Sequence, residues 1–186
     1  MAQESEVENL AQLRRKLLAA PDFIMKTIHT SNKLMLQLAS RYGDKNFFFL
    51  LGSGPNYATA LEGALKLKEA CNIFAEGFAS REFLHGPIQL VDERTPVLFV
   101  ATADEVSSSL SLISSLRNFG SPTISISEKR NKLDEVSTDV ICIPNGFPKV
   151  FSPILYVVPL QLFAYYSSVV RGLNPDKPEK LTKVVK

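Results

Sequence analysis

The chain has 186 residues, 45% apolar and 22% charged, the balance of a soluble globular protein with enough length to bury a core. Its formal net charge is +2, from 21 Lys and Arg against 19 Asp and Glu, and the basic residues are scattered. That argues against nucleic-acid binding, because a footprint on phosphates needs a clustered basic face. Cys71 and Cys142 lie far apart within apolar runs, with no metal-ligand spacing, so both are expected as free thiols in a reducing cytoplasm, with no metal and no cofactor.

The opening MAQESEVENL is acidic and polar, unlike a secretory leader. Leu10, Leu13, Leu17 and Leu18 recur at helical spacing, and Pro21 is expected to end that run. A second helix starts near Asp22, with Phe23, Ile24, Ile28, Met35 and Leu38 on its apolar side. It closes at Arg41-Tyr42-Gly43-Asp44, where Gly43 suits a helix C-terminus. Together these form a helical arm over residues 1–45. NFFFLLGSGPNY then changes the rhythm: a short run apolar on both faces, stopped by a Gly-rich turn, reads as a strand buried in a parallel sheet. A helix from Tyr57 to Ala70 follows. TPVLFVAT is the second strand, with a helix from Asp104 to Phe119 behind it; SPTISIS is the third and TDVICIP the fourth.

The last helix runs from Ser152 to Arg171, before a polar tail over residues 172–186. Its sequence, FSPILYVVPLQLFAYYSSVV, is long and apolar but carries Pro153, Pro159, Gln161 and three serines, which fits a buried core helix better than a membrane span. Strands alternating with helices predict an α/β fold over residues 46–171, a doubly wound, mostly parallel sheet in three layers. Ligands in such sheets sit beyond the carboxyl ends of the strands, which directs attention to the loops beginning at Gly52, Thr102, Ser127 and Pro144.

Three stretches could carry chemistry. Gly52-Ser53-Gly54, followed by Asn56, joins a strand to a helix and could turn amides toward an anion; it is equally a tight turn. A dinucleotide site is disfavoured, since the turn does not complete G-x-G-x-x-G, Tyr57 standing at the third glycine position, and no acidic residue follows at the expected distance. Glu62, Lys66 and Glu69, four and three residues apart, share one helix face, while Lys68 points elsewhere. The row is either solvated surface or the wall of a cleft in which Glu69 carries a proton and Lys66 tunes it. In Ser80-Arg81-Glu82-Phe83-Leu84-His85, Ser80 is expected to cap a short helix anchored by Phe83 and Leu84. His85 would then feel a helix C-terminus that favours the imidazolium, unless it merely caps carbonyls or packs beneath Pro87. His29, the other histidine, lies in the N-terminal helices, away from any predicted loop.

Four ordered stretches, ALEGALKLKE, HGPIQLVD after fifteen intervening residues, SPILYVVPLQLFAYY and NPDKPEKLTKVV, together resemble the SIS (sugar isomerase) domain family, in particular the C-terminal module of its aminosugar-forming members. The resemblance covers about residues 46–185. It implies a flavodoxin-like fold and a site in which Glu69 moves a proton between C1 and C2 of an open-chain sugar phosphate, with Lys66 beside it. It implies that His85 assists ring opening and reaches a neighbouring subunit's site, and that Lys183 forms a Schiff base with a ketose carbonyl. Gly52, Ser53, Gly54, Asn56, Glu62, Ser80 and Glu82 are the implied substrate contacts.

The implied partners are a hexose 6-phosphate, either fructose 6-phosphate or glucosamine 6-phosphate, and a second copy or a chain carrying another SIS domain, with no nucleic acid and no membrane. Two departures stand out: neither a glutamine-hydrolysing domain nor a first SIS domain with its Ser/Thr-rich phosphate loops is seen, although Ser107, Ser108 and Ser109 come close. The three readings are a sugar-phosphate isomerase, a phosphosugar-sensing module and a dimerising remnant. Glu69, His85 and Lys183 together favour the first, because a sensor has no need of a proton shuttle.

Overall fold

The first apolar run forms strand β1, Phe47–Gly52, in a computed structural model that describes residues 2–128 and 132–181. Its side chains alternate between two cores: Phe48 and Leu50 enter one, Phe49 and Leu51 the other, and all four are fully buried. A strand apolar on both faces is stable only where helices cover both. Four more strands lie parallel to it: β2 Phe74–Ala79, β3 Val97–Val100, β4 Thr123–Ser127 and β5 Asp139–Cys142, in the order β2-β1-β3-β4-β5. Gly52 pairs with Ala79 on one side and Val100 on the other, so the carboxyl ends of β1, β2 and β3 finish level. The strand order reverses between β1 and β3, which is the switch point of a doubly wound sheet.

Helices α2 Ala20–Tyr42, α3 Asn56–Cys71 and α6 Ser152–Val170 cover one face. Helix α4, Val106–Asn118, and the short α5, Leu133–Val136, cover the other. In α6 the apolar stretch is half buried: Leu155, Tyr156, Leu160 and Phe163 enter the core, where Phe163 meets Phe48 ring edge to face at 5.7 Å. The helix is long and apolar enough to cross a membrane by length and composition, and its packing between α2 and α3 accounts for that composition.

The structure differs from the sequence reading in three places. Strand β2 was not anticipated; its outward residues Phe74 and Glu76 are exposed and Gly77 weakens the strand pattern, as befits a sheet edge. Pro21 does not end the first helix. That helix, α1, spans Ala2–Leu18, and Pro21 lies in the first turn of α2, where its missing N–H costs nothing. Gly43 does follow α2, but in right-handed backbone at φ −64°. Helix α2 is also more than an appended arm, since Met35, Leu38, Ala39 and Tyr42 belong to the core, whereas α1 leaves Leu10 and Leu18 exposed.

Candidate functional site

At the carboxyl edge of the sheet, β1 ends at Gly52 and α3 starts four residues on. A Cβ on Gly52 would lie 2.1 Å from the Asn56 carbonyl oxygen, so only glycine permits so tight a turn. Asn56 is fully buried and accepts a hydrogen bond from the Thr59 hydroxyl at 3.1 Å. Ser53 is half-buried and Gly54 exposed.

The amides that face the same crevice from the end of β3 are already engaged. Thr102 N–H donates to Glu105 Oε2 at 3.1 Å and Ala103 N–H to Glu128 Oε2 at 2.8 Å. Lys149 Nζ bridges Asp104 at 2.7 Å and Glu105 at 3.0 Å. The hydroxyls of Ser108 and Ser109 bond back to the Glu105 carbonyl at 2.9 and 3.0 Å, so they serve the first turn of α4. Beneath them Tyr156 donates to the Ala101 carbonyl at 3.3 Å; burial, and behind it the charge of Glu128, pushes its phenol well above the ordinary range. At the end of β3, two amides that a doubly wound sheet could offer to a phosphate are thus taken by the chain's own carboxylates. Neither Glu105 nor Glu128 stood out in the sequence; an acid three residues beyond a strand end, as Glu105 is from Thr102, was the available signal.

The opposite end of α3 is organised differently. Lys66 Nζ lies 2.5 Å from Glu69 Oε2 and 3.4 Å from Glu62 Oε1, so the three do share a face. The Glu69 bond, followed by the charge of Glu62, raises the Lys66 pKa against partial burial. Both Lys66 and Glu69 side chains keep 32% exposure, and such a pair contributes about 0.2–1 kcal/mol to stability, so its interest is positional. Helix α3 ends with Asn72 in left-handed backbone, φ 54°, its N–H on the Leu67 carbonyl.

The tail then returns to meet it. Gly172 N–H bonds the Val169 carbonyl at 3.0 Å and Leu173 N–H the Ser168 carbonyl at 2.9 Å, which turns the chain out of α6. Residues 172–174 and 177–181 line a cavity of about 550 Å³ whose opposite wall is Leu65, Lys68, Glu69, Ala70 and Asn72. Glu69 therefore faces a cleft rather than open solvent.

Not all the expected site residues meet. The thirteen residues from Asn56 to Glu69 rise about 20 Å along α3, so Gly52, Ser53, Gly54 and Asn56 lie at the far end from Glu69. His85 shares their end: Ser80 N–H bonds the Gly52 carbonyl at 3.0 Å, and His85 closes the 3₁₀ turn Glu82–His85 just beyond, with its side chain exposed. Ser80 does not cap that turn, which starts after Arg81 without any side-chain cap bond, because a single 3₁₀ turn leaves few amides to satisfy. Glu82 is exposed, and Glu62 is 42% exposed beside Lys66. Lys183 lies outside the described residues. Among the described residues no cluster of His, Cys, Asp and Glu has the arrangement of a metal site.

The profile of the SIS domain family matches residues 43–171. Over 180 residues the chain is 39% identical to glutamine–fructose-6-phosphate aminotransferase [isomerizing] of Clostridium tetani, and over 177 residues 39% identical to that of Thermococcus kodakarensis. These alignments cover 96% and 95% of this chain but 29% of each relative, so the chain spans less than a third of their length. Among solved structures, the C-terminal domain of glucosamine-fructose-6-phosphate aminotransferase from Francisella tularensis superimposes with a TM-score of 0.82 at 28% identity, over 90% of this chain and 48% of that one. A tagatose-6-phosphate ketose/aldose isomerase from Clostridium novyi, described as putative, shares the fold at a TM-score of 0.83 and 20% identity, over 96% of this chain and 48% of that one.

Proposed function

The chain belongs to the SIS domain family, and from that premise we propose that it is the isomerase-type module of an enzyme that shifts a hexose 6-phosphate between its ketose and aldose or aminosugar forms. Fructose 6-phosphate and glucosamine 6-phosphate are the proposed substrates, as in the isomerase half of glucosamine-6-phosphate synthase. The observation that carries this reading is the position of Glu69: a partly exposed carboxylate, held by Lys66 at 2.5 Å, in the wall of a 550 Å³ cavity closed by the tail. A cavity of that size accommodates an open-chain sugar phosphate.

An aldose–ketose shift moves one proton between C1 and C2 through an enediol or enolamine. A single carboxylate on one face of the sugar can take the proton and return it. Lys66 holds the Glu69 carboxylate at 2.5 Å and restricts its rotamers. Lys183, by family resemblance, would add its amine to the ketose carbonyl from the tail, the segment whose preceding residues line the same cavity. His85 would assist ring opening at the cavity of a second copy, since it sits beyond Ser80 at the end of the sheet where α3 begins, whereas its own Glu69 lies near the end of α3. The substrate's phosphate would be gripped outside this module's switch point, where Glu105 and Glu128 repel it, which supports a partner carrying another SIS domain. A cytoplasmic setting suits the buried free thiol of Cys71.

The test is exchange of the C1 or C2 proton of fructose 6-phosphate with deuterium from solvent. The chain, with whatever partner it co-purifies with, should catalyse exchange. Glu69→Gln, which keeps shape and hydrogen bonding but not basicity, should bind sugar normally and lose exchange by about 100-fold or more. Undiminished exchange in that variant would remove Glu69 from the mechanism. A module that binds fructose 6-phosphate without exchange would instead be a sensor.

A further inference from the structure

We propose that Arg171 is a positioning residue which fixes the tail against Glu69 by tying together the ends of three helices; the proposal rests on the reading of Glu69 as the proton carrier. Helix α2 ends at Tyr42, α3 at Cys71 and α6 at Val170, all at the same end of the sheet. The Arg171 guanidinium sits where they meet. Its Nε donates to the Cys71 carbonyl at 3.2 Å, two residues beyond Glu69. Its Nη1 donates to the Gly43 carbonyl at 3.3 Å and to Asn46 Oδ1 at 3.2 Å. Its Nη2 donates to the Lys45 carbonyl at 3.4 Å and again to Asn46 Oδ1.

Each helix C-terminus carries a partial negative charge of about half an elementary charge, and its last carbonyls have no partner within the helix. Three such ends close together would repel one another and strand acceptors. A permanently charged, planar guanidinium with five donors answers both needs, whereas a lysine ammonium is a point charge that cannot reach acceptors spread across a plane. The same residue is the first after α6, and its backbone N–H still bonds the Ser167 carbonyl at 3.1 Å. The tail turns away immediately afterwards, at Gly172 and Leu173, to form the wall opposite Glu69. Arg171 thus holds the end of the helix that carries Glu69 and the origin of the segment that closes over it. Loss of the side chain frees both walls of the cavity at once.

The experiment uses the full chain as Arg171→Gln, Arg171→Lys and Asn46→Ala. Amide hydrogen exchange is followed at Leu173 and Lys177 in the tail and in β1 as an internal reference, beside kcat and KM for proton exchange on fructose 6-phosphate. In Arg171→Gln, tail amides should exchange about tenfold faster or more while β1 stays protected, because a lost charge-assisted network opens its own region first. In the same variant kcat should fall by about tenfold with KM nearly unchanged, since a displaced wall weakens the transition state more than the ground state. Arg171→Lys should lie between this variant and wild type.

Asn46→Ala removes one acceptor and leaves the cation, so it should show the same local loosening to a smaller degree; with Arg171→Lys it carries the test if Arg171→Gln fails to fold. Unchanged tail exchange, or equal acceleration in β1 and the tail, would overturn the proposal by showing no role or only a global one. If wild type exchanges no sugar proton, the functional reading fails, but the amide data still decide whether Arg171 positions the tail.

Discussion

Replacing Gly63 by alanine sets two opposed effects against each other at the crossing of α3 and α6. Alanine is the better helix former by about 1 kcal/mol, so in an exposed helix the change would stabilise. Here a Cβ would stand 2.6 Å from Leu160 Cδ1, 2.7 Å from Leu50 Cδ2 and 3.3 Å from Leu160 Cβ. The first two contacts are methyl ends that could rotate, but Leu160 and Leu50 are 2% and 0% exposed and have no free volume to rotate into. The third is next to the backbone, so relief requires α6 to move. Overpacking of this kind costs about 1–3 kcal/mol, which outweighs the propensity gain and leaves a net loss of about 1 kcal/mol. For a chain of this size that lowers the melting temperature by about 2–4 °C. Urea unfolding should show a lower midpoint with an unchanged slope. A midpoint equal to or above that of wild type would refute the reasoning, because it would mean that the helices do not press together at Gly63.

Gly52→Ala should be far worse, costing about 3 kcal/mol or more and recovered chiefly as insoluble protein, because its Cβ would meet backbone 2.1 Å away; wild-type solubility would contradict the turn geometry. Native protein should show one accessible thiol to a disulfide reagent and two after denaturation, since Cys142 is partly exposed whereas Cys71 is buried with its thiol pushed up to about 11, chiefly by burial; two fast equivalents in the native state would contradict this. The Lys149 ammonium, and after it the Thr102 hydroxyl, holds the Asp104 carboxyl below its ordinary value. A depressed carboxyl adds stability above the unfolded pKa near 4 and loses it as pH falls through the folded value. With side chains 44% and 64% exposed, the pair is worth at most a few tenths of a kcal/mol, so Lys149→Ala should be slightly less stable at pH 7, and the gap should close as pH falls below the folded value of Asp104. A gap that persists at low pH would place the effect in packing.

Strands β1 and β3 were legible because burial on both faces writes an unbroken apolar run, and β4 and β5 because their isoleucines and valine form short β-branched stretches between turn residues. Strand β2 was not, since one of its edges faces outward and FAEGFA keeps neither alternation nor uniform apolarity. The shared face of Glu62, Lys66 and Glu69 followed from helical spacing alone. That Glu69 meets a cleft, with Lys68 rather than Glu62 or Lys66 beside it on the wall, did not, because the cleft is made by tail residues distant in sequence, and no local pattern reports such a return. The general rule that ligands gather at the carboxyl edge pointed to Gly52 and Thr102, where long-range caps such as Glu128 on Ala103 have taken the amides. Glu69 lies at the other end. The rule describes where a sheet offers free amides, and here those of Thr102 and Ala103 are not free.

The separation of Glu69 from His85 by the length of α3 leads to the most direct test. Glu69→Gln and His85→Ala should each be inactive alone in solvent proton exchange on fructose 6-phosphate. If each site takes Glu69 from one copy and His85 from the other, mixing the two variants under conditions that exchange subunits should restore about a quarter of wild-type activity, since half the dimers are mixed and each of those has one intact site. A mixture that forms mixed dimers yet stays as inactive as its components would contradict a site shared between copies.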